Sequence, residues 1–118
     1  MKVKNFCSFL LVTYSLSGYA AFNSVENTQL SDINNKSQRG VVSVVASLDE
    51  MQRKQIKDNP ERKELIVSLR SAWDVTIKKR CDLESYESKG TDAEISVVND
   101  CLQKNYMDEL KYFSDMLP

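Results

Sequence analysis

The chain contains no histidine at all, and few of the residues that usually mark a site: three cysteines, three glycines and two prolines in 118 residues. Without imidazole there can be no histidine-based catalytic triad, no histidine metal site and no ordinary imidazole acid–base chemistry. Cys7 sits in the apolar N-terminal stretch, which leaves Cys81 and Cys101 for the rest of the chain. Two thiolates fall short of a structural zinc site, and no Cys-x-x-Cys spacing supports a redox pair. The carboxylates are numerous, yet they alternate with basic residues, and no pair is set apart in an apolar setting. The expectation is therefore a non-enzyme with no catalytic residue, no metal and no cofactor. The only long apolar run, Phe6 to Leu16, is too short to span a bilayer.

That run has the layout of an export signal. Lys2 and Lys4 precede it, and Gly18 and Ala20 supply the small residues a signal peptidase pocket needs before Ala21. Residues 1–20 are read as a signal peptide, which predicts a periplasmic or secreted protein without stable membrane insertion after cleavage. Cleavage would remove two lysines, leaving 14 basic residues against 17 acidic ones and a formal charge of −3. A chain of that charge is a poor partner for nucleic acid, whose phosphates require a basic surface.

The remaining residues suit one small domain. Residues 21–40 are rich in Asn, Ser and Gln without sustained periodicity and are read as a mobile N-terminal arm. A helical domain is expected over 41–118. Its first segment, Val41 to Lys57, opens with four valines that would also suit a strand. The continuation through Leu48, Met51 and Ile56 suits a helix better, and no second strand is present to pair with. Asn59-Pro60-Glu61 marks a new helix start, with Asn59 as the cap. On the wheel Ile66, Leu69, Trp73, Ile77 and Cys81 then form one stripe, with Arg70 and Asp74 on the opposite, solvated face. Lys78-Lys79-Arg80 is read as solvated too, because Asp82, Glu84 and Glu87 follow directly.

Gly90 suits the left-handed end of that helix, and Thr91 with Glu94 makes a capping-box pattern for the next. The last helix places Ile95, Val98, Cys101, Leu102, Tyr106, Leu110, Phe113 and Leu117 on one face. Cys81 lies nine residues before Gly90 and Cys101 eleven after it, so each sits about 13 to 16 Å from the turn. They are level across an antiparallel pair and should form a disulfide, stabilising the fold by roughly 3 kcal/mol. The predicted fold is all-α, a small helical bundle with a disulfide-clamped antiparallel hairpin. Its predicted core is Leu69, Trp73, Ile77, Leu102, Tyr106, Leu110 and Phe113.

The order Ala72-Trp73, Cys81, Gly90-Thr91 and Cys101-Leu102 followed by a terminal amphipathic helix resembles the LprI-like lysozyme inhibitor family over about residues 60–117. Members are small exported bacterial helical proteins, some of which inhibit lysozyme. The chain differs from that pattern in carrying Arg70 where a glutamine is usual, Ile77-Lys78 for an Arg-Asp pair, no additional cysteine pair, and Glu109 for a late arginine. The resemblance implies an exported protein-binding module whose partner is a lysozyme or another peptidoglycan hydrolase. The polar tip around Tyr86 and Lys89 offers a contact, or is simply a solvated turn. The alternative function is a periplasmic accessory or immunity protein that binds another envelope protein or a toxin.

Overall fold

The computed structural model describes the backbone of residues 2–116 and the side chains of residues 24–116. Three α-helices follow one another: α1 (Lys2–Asp58), α2 (Lys63–Glu84) and α3 (Glu94–Met116). No strand occurs among the described residues. The chain divides into two compact units, Met1–Ile33 and Asn34–Pro118. The first is helical over its described backbone, and the side chains of the expected export signal, residues 1–20, lie outside the described residues. The remainder of the fold concerns the second unit.

From Asn34 onward α1 is a wall of the bundle, which departs from the arm expected over residues 21–40. Ser37 is buried and its Oγ accepts a hydrogen bond from Asn99 Nδ2 at 3.2 Å. At Gly40 a Cβ would lie 2.5 Å from Gln103 Oε1, so only glycine lets the α3 side chain lie across the helix there. Small and polar contacts of this kind leave no apolar periodicity, which is why the segment reads as unstructured. The valine-rich stretch that follows is helical, with Val44 and Leu48 buried and Val42 exposed.

Pro60 ends α1: it cannot donate a backbone N–H and it disfavours helical geometry at the residue before it. Asn59 accordingly has φ −138° and ψ 65°. It does not cap the next helix as expected; its Nδ2 turns back to the Gln55 carbonyl at 3.4 Å. A 3-10 turn over Pro60–Arg62 intervenes before α2. At the other turn Gly90 has the expected left-handed φ of 75°. The capping pair works in altered form, because Glu94 Oε2 accepts from the Gly90 N–H at 3.0 Å while the Thr91 hydroxyl donates to the Ser88 carbonyl at 2.6 Å.

The Cys81–Cys101 disulfide joins α2 to α3 with a Cα–Cα separation of 5.6 Å. Further along, Trp73 of α2 stacks on Tyr112 and Phe113 of α3, with ring centroids at 5.2 and 6.2 Å. These pairs run in opposite chain directions, so α2 and α3 are antiparallel. By contrast Ser37 meets Asn99 and Gln55 Nε2 donates to the Phe113 carbonyl at 2.8 Å, which makes α1 and α3 parallel. The core comprises Val44, Leu48, Ile66, Ile77, Cys81, Tyr106 and Phe113, with Trp73, Leu102 and Leu110 packed against it.

One predicted core residue is misplaced. Leu69 is 38 % exposed, and the buried positions of α2 are Ile66, Arg70, Ile77 and Cys81. Ile66, Ile77 and Cys81 are buried as the wheel predicts; only at this level does the guanidinium of Arg70 take the interior place expected for the leucine. Ile95, at the start of α3, is likewise exposed. Leu117 lies outside the described residues.

Candidate functional site

The loop joining α2 and α3 is built on the disulfide. Ser85, buried directly after α2, donates its hydroxyl to the Cys81 carbonyl at 2.6 Å and so ties the start of the loop to a bridged residue. A 3-10 turn over Tyr86–Ser88 follows. The expected contact residues Tyr86 and Lys89 are both exposed and are brought together: the Lys89 ammonium lies 5.0 Å from the centre of the Tyr86 ring. This is cation–π range and pairs an aromatic face with a positive charge. Asp82, Glu84, Glu87 and Asp92, all exposed, lie nearby in sequence. The tip thus presents one cation and one aromatic ring on a loop tied at its start to the bridge.

Deeper in the bundle lies a cluster that the periodicity did not indicate. Arg70 is almost wholly buried. Its Nε donates to both carboxylate oxygens of Asp74, at 3.0 and 3.2 Å. Its Nη1 donates to Gln52 Oε1 at 2.9 Å, and its Nη2 pairs with Asp49 Oδ1 at 3.0 Å. Burial pulls the Arg70 pKa down, but the Asp74 charge and the hydrogen bonds to Asp49 and Asp74 outweigh it and leave it above its ordinary value. Arg70 and Asp74, expected on a solvated face, instead knit α2 to α1.

Glu109 of α3 completes the cluster. It has no exposed surface, and neither carboxyl oxygen has a hydrogen-bond donor within reach. Arg70 Nε approaches Oε1 only to 3.6 Å. Burial, reinforced by the neighbouring Asp74 carboxylate, which can only accept from the neutral acid and repels the charged one, and opposed by Arg70, raises the Glu109 carboxyl to about 8. The neutral acid is thereby favoured over the carboxylate, which would carry the desolvation penalty of a buried charge. Burial, then the charges of Asp74 and Glu109, also raises the neighbouring Tyr106 phenol. Arg70 and Glu109 face each other between α2 and α3.

A third feature is an open groove of about 590 Å³ between α1 and α3, with Met51 and Leu110 among its lining and Arg53, Lys54 and Lys57 along its α1 side. Among the described residues no three histidine, cysteine or carboxylate side chains are grouped to hold a metal, and no helix is long and apolar enough to cross a membrane. The carboxylates that do converge, around Arg70, already share a guanidinium. No family model, no curated protein and no solved structure matches the chain.

Proposed function

We propose that the protein is an exported binding module that blocks a lysozyme or related peptidoglycan hydrolase by inserting its α2–α3 tip into the sugar cleft. The observation that carries this reading is the exposed Tyr86–Lys89 pair, standing on a loop tied to the Cys81–Cys101 bridge. Such a cleft works through two carboxylates flanking the scissile bond. An ammonium presented on an aromatic ring is chemically suited to meet them, and the ring can occupy a sugar-binding position. A loop held covalently at its base loses little freedom on binding, which favours affinity. The carboxylates around the tip would steer the protein toward a basic hydrolase. Export accords with the bridge, since disulfides persist in oxidising compartments.

The test is inhibition of purified lysozymes of several classes by the protein with its disulfide intact. The expected result is saturable, reversible inhibition that weakens as salt is added, because part of the attraction is screened. Tyr86→Ala with Lys89→Ala should relieve inhibition without altering the unfolding midpoint. Absence of inhibition at micromolar protein would turn the reading toward an accessory or immunity protein. A separate observation favours that second reading: Leu65 and Leu69, one turn apart on α2, are 76 and 38 % exposed, an apolar spot suited to another protein of the envelope.

A further inference from the structure

Glu109 poses a question that neither the core nor the tip answers: why a side chain with an acidic group occupies the centre of a three-helix bundle. The cluster contains one cation for three carboxyl groups. From α1 come Asp49, on Arg70 at 3.0 Å, and the neutral Gln52 at 2.9 Å. From α2 come Arg70 itself and Asp74, joined at 3.0 Å. From α3 come Glu109, 3.6 Å from Arg70, and the buried Tyr106 one turn before it. The hydrogen bonds that the guanidinium makes go to Asp74, Gln52 and Asp49, and none reaches Glu109. Asp49 and Asp74 retain access to water, with side chains 50 and 28 % exposed, whereas Glu109 has none.

We propose that Glu109 is a proton-controlled latch: with its carboxyl neutral the three helices close around Arg70, and with it ionised a third, dry carboxylate that receives no hydrogen bond opposes the closed bundle. The ionised form finds neither a donor nor solvent in this position, and a buried charge in that situation is relieved only by taking up a proton or by opening the structure. The raised proton affinity of the group, to about 8, agrees with this geometry. Its folded value lies above its value in the unfolded chain. The stabilisation is therefore fully present below the ordinary carboxylate range, diminishes as pH rises toward about 8, and is lost above it. The whole effect amounts to on the order of a thousandfold in the folding equilibrium.

The experiment is a set of urea unfolding curves between pH 5 and 9, followed by tryptophan emission, on the disulfide-bonded protein and its Glu109→Gln variant. Trp73 packs on Tyr112 and Phe113, one turn beyond Glu109, and reports opening directly. The native chain should lose stability steadily from pH 5 to about 8, and Glu109→Gln should remove most of that slope. Carboxyl carbon NMR of the unaltered protein supplies a second readout that does not depend on the variant folding, with the Glu109 resonance expected to titrate far above the other glutamates. Equal slopes in both proteins, or a Glu109 resonance that titrates in the ordinary carboxylate range, would overturn the latch.

Discussion

The two ends of the α2–α3 hairpin are fastened by different chemistry. Near the tip, Cys81 and Cys101 are bridged, and Asn105 Nδ2 supports the bridge by donating to the Cys101 carbonyl at 2.8 Å. Toward the start of α2, fastening is non-covalent: Arg70 gathers Asp49, Asp74 and Glu109 beside the Trp73, Tyr112 and Phe113 rings. The covalent end acts mainly by restricting the unfolded chain. It is indifferent to pH and to α1. The polar end acts only in the folded state, depends on protonation, and is the part that ties α1 to the hairpin. A small domain thus leaves the end bearing its exposed tip rigid under all oxidising conditions and makes the opposite end conditional.

This contrast can be broken most forcefully at Arg70. Arg70→Ala removes the guanidinium from beneath three carboxyl groups and strips the packing of its stem, so destabilisation of about 3 to 5 kcal/mol is expected in urea unfolding. A loss below about 1 kcal/mol would mean that the cluster contributes little and that the bundle is held elsewhere. Next in size is the bridge. Replacing Cys81 and Cys101 together by alanine should destabilise the fold by about 3 kcal/mol. That loss should be the same at pH 5 and pH 8, because no proton is involved; a strongly pH-dependent loss would show the two ends to be coupled rather than separate.

Trp73 tests the aromatic part of the non-covalent end. A fully buried tryptophan replaced by alanine loses about 3 to 5 kcal/mol, but Trp73 lies at the edge of the core against the half-exposed Tyr112. About 2 to 3 kcal/mol is expected, measured from the denaturant midpoint. The smallest effect should come from Leu69→Ala, under about 1 kcal/mol, since the side chain is 38 % exposed. A large loss there would restore the wheel that places Leu69 inside and Arg70 outside.

The amino-acid sequence by itself determined the helices from Val41 onward, the turn at Gly90 and the disulfide. These depend on local properties: proline and glycine backbone limits, a period of 3.6 residues, and the similar distances of two cysteines from one turn. It also determined most of the core of α3, where Leu102, Tyr106, Leu110 and Phe113 follow an uninterrupted apolar spacing. Only the tertiary structure decided the burial of Arg70 beside an exposed Leu69, the recruitment of residues 34–40 into α1's packed length, and the Arg70–Glu109 cluster. Hydropathy assigns a charged side chain to water because burying it alone is prohibitive. Arg70 and Glu109 escape that rule through one another, through Asp49 and Asp74, and through a proton. Their partners lie 21, 4 and 39 residues from Arg70 along the chain. No local pattern signals such a set, and only the apposition of three helices brings it together.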